Sequence, residues 1–154
     1  QSAYNNCKPS YFRLSERENT MSLKIDHGKA SVIKNGNDLT VVAIGPVLDK
    51  VIPALEGLDA GLIYYNSISP FDNNVLLENI AKTGKVLLVE PFYSGTISRQ
   101  IYETFNETDI KISLKSIGVP NEFLRSYGKA EDHDIAIGLT EKNIHITAKE
   151  LINA

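Results

Sequence analysis

Glu90 is the residue through which chemistry could enter this chain. It follows the apolar run at 86–89 and opens the stretch Glu90-Pro91-Phe92-Tyr93-Ser94-Gly95, which sets a carboxylate, two aromatic rings and a glycine side by side. A carboxylate at such a place either accepts hydrogen bonds at the N-terminus of the next helix or pairs with a base such as Arg99. Service as a catalytic acid or base would need a perturbed environment and a partner. The other familiar chemistries lack their residues. Neither G-x-G-x-x-G nor G-x-x-x-x-G-K-[ST] follows a strand-like segment, so both common phosphate cradles are missing from the sequence. No G-x-S-x-G elbow is present, and His27, His133 and His145 are scattered. The run Glu131-Asp132-His133-Asp134 has metal-ligand residue types, but consecutive side chains cannot all face one ion, and a solvated loop is expected there. Cys7, the single cysteine, permits no internal disulfide.

The elements that position the loop follow from pattern. The 154 residues suffice for one domain with its own core, and 42% apolar with 23% charged residues is an ordinary globular balance. A net charge of −3 without a basic run argues against nucleic acid and membrane surfaces as partners, and no apolar stretch approaches the length of a membrane span. The cytoplasm is the expected compartment. Residues 1–27 are largely polar, with Tyr11, Phe12 and Leu14 as the one apolar cluster, and are expected to be a linker and remnant of something upstream of a domain at 28–154.

From Gly28 onward the periodicity is regular. Two strand-like runs at 30–34 and 39–44 flank Asn35-Gly36, which predicts an antiparallel hairpin. Gly45-Pro46 opens a helix with Val47, Leu48, Val51, Ile52 and Leu55 on one face, and Pro53 predicts a kink or an early end. A strand at 62–65 leads to a helix that Asp72 is expected to cap, burying Val75, Leu76 and Ile80 and ending at Gly84. The run at 86–89 is the next strand, and Ile97, Ile101 and Phe105 recur at helical spacing after the loop. A fifth strand is expected at 110–114, then an irregular stretch, then a last helix from Glu141 with Thr140 as its cap. Strands alternating with helices predict right-handed crossovers and a sheet covered on both faces. The fold class is therefore α/β, three-layer α/β/α, with four parallel strands and one antiparallel. Glu90 then lies on the rim formed by the carboxyl ends of the strands, where ligands and partners gather in such sheets.

Read in order, GKASVIKNGNDLTVVAIG, SISPFDNNVLLENIAKTGKVLLVE, GVPNEF and GLTEKNI resemble the C-terminal domain of the transketolase family over most of residues 28–146. The segment PSYFRLSEREN resembles the end of that family's preceding, pyrimidine-binding domain. Within that family the chain resembles split transketolase C-terminal subunits and 1-deoxyxylulose-5-phosphate synthases. Many members follow the Val-Glu strand end with a second acidic residue and a Gly-Gly pair, where this chain has Pro91 and then Gly95-Thr96.

The resemblance implies a five-stranded mixed sheet whose first strand is antiparallel. It also implies a parent enzyme that uses thiamine diphosphate and Mg²⁺ to move a two-carbon ketol unit between sugar phosphates. The family's diphosphate motif and catalytic glutamate belong to other domains, so no catalytic, cofactor-binding or metal-binding residue is expected here. The implied partners are the catalytic domains or subunit of the same enzyme and a second copy in a homodimer. Glu90, Phe92, Tyr93 and Gly95 are the candidate interface, and Arg13 or Arg17 the candidate contact to substrate phosphate. Two rival readings stay open: a domain of a 2-oxoacid oxidoreductase or dehydrogenase subunit, and a free-standing α/β small-molecule binding module.

Overall fold

The computed structural model describes residues 9–125 and 127–154, so Cys7 and Ser126 lie outside the described residues. Ten elements follow in order: β1 (Ser31–Lys34), β2 (Leu39–Ile44), α1 (Leu48–Ala54), β3 (Ala60–Tyr65), α2 (Asn73–Thr83), β4 (Lys85–Tyr93), α3 (Ser98–Phe105), β5 (Ser113–Val119), α4 (Ala130–Ile137) and α5 (Glu141–Asn153). The strands form one five-stranded sheet of order β1-β3-β2-β4-β5, with β2 to β5 parallel and β1 antiparallel. This is the expected mixed sheet.

Alternation along the strands builds two cores. Leu39, Val41, Ala43, Leu62, Leu87 and Val89 pack under α1 and α5, while Val42, Ile44, Ile63, Val86 and Leu88 pack under α2 and α3. The central strands are apolar on both faces because both are covered. From β2 the chain crosses one way through α1 to β3, then back across β2 through α2 to β4. Right-handed crossovers in opposite directions put those helices on opposite faces, and they place the switch point between β2 and β4.

Four expectations need correcting. The predicted hairpin does not form: β1 pairs with β3, in the register Ser31 to Tyr64 and Val32 to Ile63. The Asn35-Gly36 turn instead carries the chain across the start of β3. Asn37 donates to both oxygens of Asp59 at 3.1 and 2.9 Å, and a Cβ on Gly36 would lie 2.1 Å from the Gly61 nitrogen. The small pair Ala60-Gly61 makes room for this crossing.

Asp72 stands at the N-cap of α2 but its side chain caps nothing there. Its carboxylate turns to Ala30, whose amide it accepts at 3.2 Å, with the Lys29 ammonium 3.8 Å away. Its carbonyl accepts the Tyr65 hydroxyl at 2.9 Å. Asp72 therefore ties the entry of β1 to the centre of the sheet. The fifth strand also starts later than expected, at Ser113, and Ala130–Ile137 is helical where a solvated loop was expected. Glu131 and Asp132 lie in the first turn of that helix, where carboxylates are favoured. Other details match: α1 ends one residue after Pro53, and Thr140 accepts the Asn143 amide at 3.3 Å as the α5 cap.

Candidate functional site

β4 runs past Val89 as far as Tyr93, and its register against β5 shifts between those two residues. The shift lets the strand turn at Glu90, whose side chain is fully buried. One carboxylate oxygen accepts the Gly95 amide at 2.5 Å and the other accepts the Ile97 amide at 3.1 Å. Gly95 adopts φ +87°, a left-handed conformation that aims its N–H back at the carboxylate and that a residue with a side chain resists. Glu90 thus serves the free amides at the start of α3 (Ser98–Phe105) in the way an N-terminal carboxylate does. Burial raises its carboxyl above the ordinary range, and the amides of Gly95, Ile97 and Thr96 oppose that rise. Arg99 takes no part in this, since it pairs with Glu103 at 2.7 Å.

The other rim residues separate by exposure. Phe92 is half-buried against the α2–α3 core, and the Arg13 guanidinium lies over its ring at 4.5 Å while donating to the Pro91 carbonyl at 3.4 Å. Tyr93 is 58% exposed. Arg13, Glu90, Phe92, Tyr93 and Gly95 therefore share one end of β4. Arg17 does not join them. Its guanidinium donates to Asp134 and lies 3.8 Å from Glu131, both on α4.

Sequence reasoning missed Asp134, which is buried and accepts from Arg17 and Lys50 together. It also missed Asn19, which donates to the Gly45 carbonyl at 3.1 Å, and Thr20, whose amide donates to Asp49 at 2.9 Å. The one available signal was an acidic run on a short polar segment, which says nothing about a partner more than a hundred residues earlier.

Two shallow clefts of about 440 and 480 Å³ flank Phe123 and Leu124. Their polar lining is Asn121, Glu122 and Arg125. A magnesium-bound diphosphate needs several convergent oxygen ligands in near-octahedral geometry. A single carboxylate beside one amide does not fit that demand, and among the described residues no three His, Cys, Asp or Glu side chains converge. Glu90 is already committed to its own loop. These two clefts therefore do not offer the donor set that a magnesium-bound diphosphate takes. No described helix is long and apolar enough to cross a membrane.

A doubly covered parallel sheet with one antiparallel edge strand, and a rim carboxylate that braces its own loop, defines a three-layer α/β domain. The chain belongs to the transketolase C-terminal domain family, whose model, described as "Transketolase, C-terminal domain", matches residues 28–144. It is 33% identical over 137 residues to an uncharacterized 33.6 kDa protein in the fasciation locus of Rhodococcoides fascians, covering 87% of this chain and 43% of that one. It is 26% identical over 133 residues to the 1-deoxy-D-xylulose-5-phosphate synthase of Heliobacterium modesticaldum, covering 82% of this chain and 20% of the synthase. Among solved structures, a split-gene transketolase described as an inactive β4 tetramer matches with a TM-score of 0.76 at 24% identity, over 90% of this chain and 48% of that one. The chain thus spans less than half the length of each of these proteins.

Proposed function

We propose that this chain is the non-catalytic C-terminal domain of a thiamine diphosphate-dependent, transketolase-like enzyme that transfers a two-carbon ketol unit between sugar phosphates. Residues 1–27 are then the end of a preceding pyrimidine-binding domain, and the rim at 90–96 supports a homodimer. The observation that carries the non-catalytic part is the placement of Glu90: a buried carboxylate with both oxygens bonded to backbone amides is committed to holding its own loop. Of the two arginines, Arg13 is the better placed for a substrate phosphate in the assembled enzyme, because Arg17 already faces two carboxylates.

Titration calorimetry of this chain with thiamine diphosphate and Mg²⁺ tests the cofactor's placement in other domains. No heat of binding is expected, and micromolar affinity would overturn the reading. The assembly role has its own test at Tyr93, an exposed aromatic of the kind that anchors contacts between subunits. Tyr93→Asp is expected to shift sedimentation towards monomer across a concentration series with an unchanged circular dichroism spectrum. Association as strong as the wild type's would leave the loop a plain strand-to-helix connection.

A further inference from the structure

The chain between β5 and α4 holds an aromatic ring out in water. Phe123 is 86% exposed, and together with Glu122 and Leu124 it lines both of the shallow clefts described above. These three residues therefore form a ridge with a hollow on either side. One hollow, of about 440 Å³, is walled by Tyr93 at the end of β4 and Val119 at the end of β5. The other, of about 480 Å³, is walled by Ala136 and Ile137 on α4. A ring that stands beside an open, partly apolar hollow is a shape that fits a copy of itself, since the ring of each copy can enter the hollow of the other. Exposed apolar surface gathered in this way marks a place of contact.

The charges on the ridge obey the same rule. Glu122 and Arg125 bracket Phe123 and Leu124, both are exposed, and neither takes part in an ion pair among the described residues. A contact around a two-fold axis presents one patch to itself, so each group must find its complement within that patch. The order acid, apolar, apolar, base meets this condition when two copies run antiparallel with the axis between Phe123 and Leu124. Glu122 then faces Arg125 of the second copy, twice over, and Phe123 faces Leu124 of the second copy. A partner of one charge sign meets a like charge for every opposite one. Apolar residues at the centre and charges at the rim are also the usual layout of a protein interface.

We infer that the ridge at 122–125 is a two-fold contact between two copies of this chain, with its register set by reciprocal pairing of Glu122 with Arg125. The inference rests on the homodimer proposed above and adds to it the centre of the contact and the charges that select the partner. Tyr93 belongs to both, because it walls one of the hollows.

Sedimentation of the full chain across a concentration series reads the test, with circular dichroism as the folding control. Each single reversal, Glu122→Arg or Arg125→Glu, sets like charges against each other twice and is expected to weaken self-association about tenfold or more. The double reversal is expected to return to wild-type association, because acid and base have only changed places. An equimolar mixture of the two single variants is expected to associate more tightly than either alone, since every pair across the mixed contact is then Arg with Glu. Single reversals that associate as strongly as the wild type overturn the inference, and if Tyr93→Asp still dissociates the protein, the homodimer stands without it. Single reversals that weaken association with no recovery in the double variant or the mixture also overturn it, because the two residues are then not each other's partners. A wild type that stays monomeric up to about 1 mM overturns this inference and the homodimer together.

Discussion

Glu90→Ala is expected to lower the unfolding free energy by about 3 kcal/mol, combining orphaned buried amides with a small cavity. The amides of Gly95 and Ile97 lose the carboxylate oxygens that accept from them. Urea denaturation measures the loss, and a change within 0.5 kcal/mol, the usual range for a surface position, would refute the bracing role.

The same residue sets a pH dependence with a definite sign. Burial raises the Glu90 carboxyl in the folded state, so the folded chain holds this proton to higher pH than the unfolded chain does. Its contribution is fully present below the unfolded value, near 4.5, and is lost as pH rises through the raised folded value. Measured from about pH 4 to about pH 8, wild-type stability is expected to fall relative to Glu90→Gln, and a difference that stays flat with pH would contradict this assignment.

Gly36→Ala is the second large effect. The obstacle is steric and not torsional, since the new methyl would sit 2.1 Å from the Gly61 nitrogen and 2.2 Å from the Ala60 carbonyl carbon. Neither neighbour is a flexible side-chain tip, so two backbones must separate, at a cost of about 3 kcal/mol. The damage is expected to concentrate on β1. Hydrogen exchange should show lost protection at Ser31 and Val32, which pair with β3, while Val41 and Leu87 in the middle of the sheet remain protected. Uniform loss across all strands would mean that the crossing of Gly36 over β3 is not a local contact.

How far the fold was legible depended on whether a residue's partners were near in sequence. The spacing of Ile97, Ile101 and Phe105 gave α3, and Thr140 before an acidic first turn gave the start of α5, because both signals lie within one helix. The Asn-Gly pair misled because a tight turn predicts its own neighbours as partners, whereas β1 pairs with Leu62, Ile63 and Tyr64 of β3. Asp72 misled similarly: its place before α2 suggested a cap, and only the fold brings Ala30 within 3.2 Å of its carboxylate. The chain from Ala130 to Ile137 carries no apolar periodicity, so its helix was invisible. At the rim, the alternatives for Glu90 included the observed one, since carboxylates near helix starts have few roles. Arg17 gave no hint of Asp134, because charge alone does not choose among 19 acidic residues.

The pairing of Arg17 with Asp134 also imposes an order on biosynthesis. The two residues are 117 positions apart, and the arginine leaves the ribosome first. Through most of translation the nascent chain therefore presents the Arg17 guanidinium to water, while β2, β3 and β4 can assemble from contacts between neighbouring segments and Asn19 and Thr20 already find Gly45 and Asp49. Asp134 exists only after α4 has been made, so Arg17 can find its partner only near the end of synthesis, after the central sheet.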